Sequence, residues 1–415
     1  MRLSPTPRAA ALLALVACSA LVLPAALAVL AALALLAAIV YDARSVPDPG
    51  LRRDVSQVLS RGVRQPLTIT AEAPGPALQV RQPAPGGLAV EPAEGDGGLD
   101  AELLPIARGR HTLPGFGSRV EGSLGLAARY PEPGGGTEVD VYPDLPNARR
   151  LALAVRRGRL GDPGLRALGP LGLGTEFESI REYSPDDDIR RVNWRATARM
   201  GRPMSNEFRL DQDRDVLCLI DAGRLMAAPL GDRSRLDASL DAVTAVALVA
   251  DELSDRCGGL VFDSRIRRKL EPRRGGGRGL IRALHTEQPS GEDSDYELAF
   301  RSLGATKRAL VLVFSDLIDA TAARSLIAAV PMLARRHAVA VVTPLDPDID
   351  LAAHRAPRAA TDAYRMVAAL DVLEARAGAA ARLRSAGAVV VEAPPSALAG
   401  AAVRAYVRAK LRARL

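Results

Sequence analysis

From Ala9 to Tyr41 the chain carries no charged residue. An apolar run of this kind belongs either in a bilayer or in a protein core. As one straight helix it would be about 50 Å long, well beyond a hydrocarbon core of about 30 Å. Pro24 stands in its middle, where the missing N–H and the ring break a helix. Two short membrane spans, about Ala9 to Leu23 and Ala25 to Tyr41, are therefore expected. Arg2 and Arg8 precede the run, and Arg44, Arg52 and Arg53 follow it. Positive charge on both flanks suits a hairpin in the cell membrane with both ends in the cytoplasm. A cleaved signal peptide would have a shorter apolar core. The tetrapeptide Leu15-Val16-Ala17-Cys18 looks like a lipoprotein cleavage box, which keeps an envelope lipoprotein anchored at Cys18 as an alternative.

The chain of 415 residues has room for two or three domains. Aromatic residues make up only 3%, so its cores must rest on Leu, Val and Ala. The net charge of +7 is carried almost wholly by arginine, the lysines being Lys269, Lys307 and Lys410. These arginines are scattered, without clustering or aromatic interleaving, which argues against nucleic-acid binding. The three cysteines, Cys18, Cys218 and Cys257, have neither metal-site nor disulfide-framework spacing.

Residues 42–53 form a polar linker containing proline. Across 54–143, short alternating runs such as Leu67–Thr70, Leu103–Ile106 and Val139–Tyr142 are cut by Pro and Gly. This pattern indicates an all-β sandwich, with a loosely ordered linker as the alternative because 84–98 is rich in Gly and Pro. Residues 144–210 read as a linker followed by a dense charged segment. Across 211–415, strand and helix alternate. Val216–Ile220, Gly259–Phe262, Leu310–Phe314, Ala338–Val342 and Ala388–Val391 read as buried strands, and Ile266–Leu270 as an edge strand. Arg235–Leu253 has helical spacing at Leu236, Leu240, Val243, Ala247 and Ala250. A long helix is expected over Asp362–Ser385 and a last one reaching Leu415. Repeated β and α units imply an α/β doubly wound sheet covered on both faces. The glycine-rich stretch Gly275–Gly279 lacks the Lys-Ser/Thr of a phosphate loop and reads as a surface turn.

Two stretches carry a resemblance. GTEFESIREYSPDDDIRRVNWRATAR (Gly174–Arg199) is followed by DVLCLIDAG (Asp215–Gly223). Together with PIARGRHTL and EVDVYPDLP, they resemble the bacterial family called domain of unknown function 58 (DUF58), which ends in a von Willebrand factor A-like domain. The resemblance implies an A-like fold for 211–415, with a divalent cation on the rim at the carboxyl ends of the strands. In A domains the first rim loop offers Asp-x-Ser-x-Ser, a second loop a Thr and a third an Asp. Here Asp221 is followed by Gly223 and Leu225 in the serine places, Ser294 stands where the Thr would be, and Asp316 matches the last acid. Asp221, Ser294 and Asp316 would thus form a degenerate site with at most weak Mg²⁺ affinity, improved by restoring serine at 223 and 225. The other reading is that both acids cap helices or hold loop amides.

Within the signature, Glu176, Arg181, Glu182, Tyr183, Asp188, Arg190, Arg191, Trp194, Arg199 and Glu207 are the residues of interest, with Asp187 and Arg195 beside them. Asp186 and Asn206 depart from the family pattern. Arginine pairs bidentately with carboxylates and stacks on aromatic rings. Such a set suits a structural clamp, in which Trp194 packs on the following domain and its truncation costs about 3–5 kcal/mol. It also suits a partner surface. Catalysis is disfavoured, because no His and no nucleophile with a partnered base lie within the segment. Members of the family are usually encoded beside MoxR-type AAA+ ATPases. The resemblance therefore implies a non-enzymatic, membrane-anchored adaptor, with that ATPase and other membrane-associated proteins of the operon as partners in assembling or maturing client complexes. The alternative is a metal-dependent hydrolase using the Asp221 rim.

Overall fold

The computed structural model describes residues 2–21, 24–46, 48–72, 77–157, 176–184, 187, 189, 192–209, 213–304, 307–317 and 323–411. The chain divides into two compact units, Met1–Tyr142 and Pro143–Leu415.

The first unit begins with a strand, β1 (Arg2–Pro5), followed by α1 (Pro7–Ser19) and α2 (Ala25–Ser45). Thr6 caps α1 by accepting from Ala9 N–H, and Pro7 occupies the first turn, where its missing donor costs nothing. The break falls around Pro24, as its ring dictates. Among the described residues, only α2 is long and apolar enough to cross a membrane, with a mean hydropathy of 2.3 and 11% of its apolar window buried within the chain. α1 was expected to run from Ala9 to Leu23. It stops at Ser19, and its 13 residues span about 20 Å, short of a bilayer.

The rest of this unit is β structure: β2 (Leu51–Val55), β3 (Val58–Ser60), β4 (Gln65–Ala71), β5 (Ala77–Arg81), β6 (Leu88–Glu91), β7 (Glu94–Asp96), β8 (Leu99–Pro105), β9 (Gly109–Leu113), β10 (Gly117–Glu121), β11 (Ala127–Tyr130) and β12 (Thr137–Tyr142). They form three sheets, ordered β1-β11-β10-β5-β7, β2-β4-β8-β6 and β3-β12-β9. Alternation buries one face of β4, β5, β8, β9 and β12, so Leu67, Ile69, Leu78, Val80, Leu103, Leu113, Val139 and Val141 meet in one core. The stretch 84–98, which composition left open to a linker, contributes β6 and β7.

Both ends of the helical pair are tied to one turn of this β structure, that between β10 and β11. Thr6 donates its hydroxyl to Gly125 O at 2.6 Å and its N–H to Leu126 O at 3.0 Å. At the far end of α2, the Asp42 carboxylate is fully buried and accepts the N–H groups of Leu124, Leu126 and Ala127 at 2.8–2.9 Å. Gly122 leaves room for it, since a Cβ there would lie 2.3 Å from that carboxylate.

The second unit opens with α3 (Leu145–Arg156), capped by Asp144. Expected as linker, this helix instead packs on the α/β structure: Asp144 N–H donates to Asp241 and Arg156 pairs with Glu252. Residues 158–175 lie outside the described residues. β13 (Glu176–Glu182) and β14 (Met204–Arg209) form an antiparallel hairpin that carries α4 (Trp194–Met200). Next come β15 (Asp215–Asp221), a minimal hairpin of β16 (Pro229–Leu230) and β17 (Arg233–Ser234), and α5 (Arg235–Glu252). A Ser234–Asp237 capping box starts α5. The remaining elements are β18 (Arg256–Phe262), β19 (Ile266–Arg274), α6 (Gly276–Leu284), α7 (Tyr296–Arg301), β20 (Leu310–Phe314), α8 (Ala323–Ala334), β21 (Ala338–Pro344), α9 (Pro347–His354), α10 (Ala360–Ser385), β22 (Val389–Ala393) and α11 (Pro395–Leu411).

Six strands form one sheet in the order β19-β18-β15-β20-β21-β22, all parallel except the edge strand β19. Leu217, Leu219, Val311 and Val313 pack against Phe300, Leu326, Val330 and Leu383 of α7, α8 and α10. α5 and α11 cover the other face, where Leu240, Val243, Ala247, Val403 and Tyr406 are buried. Gly275–Gly279, expected to be a surface turn, instead starts α6. A Cβ on Gly276 would meet Cys257 O at 2.1 Å and one on Gly277 would meet Ala247 O at 2.2 Å, so these glycines allow α6 to lie close against β18 and α5. Behind the sheet, buried Asp255 accepts from Tyr406 OH and pairs with Lys410 Nζ at 2.6 Å, fastening α11.

Replacing Asp42 with Ala leaves three amides of the β10–β11 turn without their acceptor, each at a cost of about 1–3 kcal/mol. We expect Asp42→Ala to lower the melting temperature of the full chain in detergent and to open the β10–β11 turn to protease. Exposed Asp48→Ala should do neither.

Candidate functional site

In an open α/β sheet, ligands bind beyond the carboxyl ends of the strands, where the strand order reverses. Here that place lies between β15 and β20, and it brings Asp221 and Asp316 together with residues from four further elements, α5, α7, α10 and β21. Both acids are buried.

Asp221 is fully engaged from within. One carboxylate oxygen accepts Gly223 N–H at 2.9 Å and Ser294 Oγ at 2.5 Å. The other accepts Tyr296 OH at 2.6 Å and Ser315 Oγ at 2.7 Å. Burial, then the Asp221 charge, raise the Tyr296 phenol well above its ordinary range, so it stays a donor.

Asp316 faces cations of the chain itself. Arg235 Nη1 lies 2.8 Å from one carboxylate oxygen, and Arg376 Nη1 lies 3.6 Å from the other. Both guanidiniums are as buried as their partner. Arg235 reaches on to Asp346 at 3.4 Å, while Arg376 donates to Thr343 Oγ1 at 3.3 Å and Pro344 O at 3.0 Å. Leu317 N–H donates to the Asp316 oxygen that Arg376 faces, and the Thr343 hydroxyl lies 3.5 Å from it, while the oxygen facing Arg235 has the ion pair and no hydrogen bond. Burial raises the Asp316 carboxyl above its ordinary value, and the two arginines pull it back without cancelling the effect. Burial likewise lowers Arg376.

The donor set does not fit Mg²⁺. A hard divalent ion needs several free oxygens, whereas Asp221 is saturated by hydroxyls and an amide and Asp316 already faces Arg235. A second cation next to those guanidiniums would be repelled at short range in a poorly screened interior. Among the described residues, no group of three or more His, Cys, Asp or Glu is placed to share an ion. Nor would serine restore the loop at 223: a Cβ there meets Ser294 Oγ at 2.1 Å and Glu292 O at 2.9 Å. The exposed Arg224 turns away and pairs with Asp293 at 2.9 Å. Sequence reasoning missed Arg235, Arg376, Tyr296, Ser315, Thr343 and Asp346. Only Tyr296, two residues after Ser294, and Ser315, next to Asp316, had a local cue.

The signature hairpin differs from expectation at its central residue. Trp194 is 70% exposed, and Met200, Ile189 and Ile180 of the same segment are exposed as well. The ring therefore does not pack as the structural clamp required. The charged pairing is local: Arg181 pairs with Asp187, which also accepts Ser184 N–H, Tyr183 OH donates to Asp187 O, and Arg202 lies 3.4 Å from Glu182. Asn193 caps α4 and donates to Asn206 at 2.8 Å, and Thr197 Oγ1 accepts Met204 N–H. These bonds seat α4 on the hairpin with Trp194, Arg195, Arg199 and Met200 outward. Glu176 pairs across the ladder with Arg209, and Glu207 with Ser179, as backbone positions. Asp188, Arg190 and Arg191 lie outside the described residues.

The profile of the family described as Protein of unknown function DUF58 matches residues 179–368, from β13 into α10. Uncharacterized protein Rv1480 of Mycobacterium tuberculosis and Uncharacterized protein Mb1516 of Mycobacterium bovis are each 24% identical to this chain over 187 residues, 43% of this chain and 58% of theirs. The chain thus spans 58% of the length of the curated relatives it matches. Among solved structures, the conserved hypothetical protein BatB from Bacteroides thetaiotaomicron is similar at 15% identity, covering 48% of this chain and 98% of that one with a TM-score of 0.29.

Removing one partner of a buried ion pair costs about 3–5 kcal/mol, because the other charge is left uncompensated. We expect Arg235→Met to destabilise the chain on that scale, and Arg235→Met with Asp316→Asn to cost less than the sum of the single changes in thermal melts. Millimolar Mg²⁺ should leave the melting temperature of the unaltered chain where it is.

Proposed function

We propose that this chain is a membrane-anchored, non-enzymatic adaptor with an A-like domain, working with a MoxR-type AAA+ ATPase on client complexes at the cytoplasmic face of the cell membrane. The observation that carries this reading is the division of labour between two regions. The rim where an A domain would hold its cation, and where a hydrolase would need one, is closed by the chain's own hydroxyls and guanidiniums. The signature, by contrast, turns its Trp, Met and arginines outward. Trp and Arg dominate the hot spots of protein interfaces, and Arg195 and Arg199 favour an acidic partner. The strand order, with helices on both faces, supports the A-like fold. α2 supports the anchor, and the joint attachment of Thr6 and Asp42 to one turn holds the start of α1 beside the end of α2.

The partner test uses the purified ATPase and the full chain in detergent. Trp194 is the only tryptophan, so its emission reports this face alone. We expect a blue shift on adding the ATPase. Trp194→Ala should leave stability within about 0.5 kcal/mol and weaken binding by about 2 kcal/mol, roughly 30-fold in Kd. A large fall in melting temperature with binding retained would return the segment to a structural role.

A further inference from the structure

We infer that the β10–β11 turn is a lipid-contact surface, seated in the phospholipid headgroup layer beside α2. The inference rests on the reading of α2 as a membrane anchor and adds a second point of contact to it.

The uncharged run ends at Tyr41, and the next residue is Asp42. From Ala25 to Tyr41 the helix rises about 25 Å, close to the hydrocarbon thickness of about 30 Å. The end of α2 therefore falls at the boundary of the bilayer. Asp42 is bonded there to the amides of Leu124, Leu126 and Ala127. A hydrogen bond leaves no slack, so the turn has the same depth as the helix end. Thr6, the N-cap of α1, is bonded to the same turn, so the turn lies against the ends of both helices.

The turn from Gly122 to Leu126 carries no charge, and its tip presents Leu124, 52% exposed although every neighbouring apolar residue of the turn is buried. The Tyr41 ring, 67% exposed, stands beside the Asp42 anchorage. Rings that are apolar in the body and polar at the tip collect at the headgroup level. Arg8, whose guanidinium lies near Gly125, and Arg44 are exposed on the two helices. Arginine forks match phosphate oxygens. An apolar tip, an amphipathic ring and two guanidiniums at one depth fit an anionic phospholipid surface.

The test uses the full chain in nanodiscs of phosphatidylcholine and phosphatidylglycerol. Cys18 is first replaced by Ser, leaving Cys218 and Cys257, which are buried. Spin labels are placed by Leu124→Cys, by Leu33→Cys within α2 and by Val58→Cys in the sheet that lacks the turn. We expect oxygen to relax the labels at 33 and 124 more than a water-soluble nickel chelate does, with 124 the shallower of the two, and the reverse at 58. A label at 124 as chelate-accessible as that at 58, with 33 still in the bilayer, overturns the contact and leaves the anchor standing. Chelate access at 33 overturns both.

Discussion

A carboxylate buried at the end of a central strand has to be neutralised, and the second unit is arranged around that need. Asp221 and Asp316 end or follow the two middle strands, where water is excluded. In a low dielectric each would cost several kcal/mol if left alone. Four donors answer Asp221, and two guanidiniums answer Asp316. These groups come from α5, α7, α10 and the loops after β15 and β20, so the network ties both helical layers to the sheet. Because Arg235 follows the Ser234 cap of α5, the same turn that starts the helix also delivers the charge.

How much of this could be read in advance depended on whether the signal was local. The buried strands were legible because parallel strands covered on both faces are continuous apolar runs, and Val216–Ile220 and Leu310–Phe314 have no other plausible home. The break at Pro24 followed from one ring. Gly275–Gly279 was misread because glycine disfavours helix locally, while the close approach of Cys257 O and Ala247 O, which no neighbouring residue announces, demands it. Arg235 and Arg376 look like any surface arginine in the sequence. Only the fold brings positions 235, 316 and 376 together. Trp194 misled in the opposite sense: a large ring flanked by arginines reads as buried, and its exposure is decided by how Asn193 and Thr197 seat α4.

The two units solve the problem of polar burial by different means. In the second, side-chain cations and hydroxyls meet the acids. In the first, the backbone does so, with three amides of one turn surrounding Asp42. An amide cannot be titrated or swung away, which makes that attachment insensitive to pH on the turn's side. It also explains why Gly122 lies where it does: the turn must come within hydrogen-bond reach of a carboxylate that any side chain there would displace.

The joining of β1 to β11 has a mechanical consequence. β1 runs directly into α1 through Thr6, so a pull on the helix along the strand axis loads β1 lengthwise. The four residue pairs from Arg2–Tyr130 to Pro5–Ala127 are held by bonds that lie across that direction. Loaded in this way, the bonds share the force in shear instead of parting one after another as in peeling. The helical pair is thus mounted on the β structure in the geometry that best resists being pulled out of it.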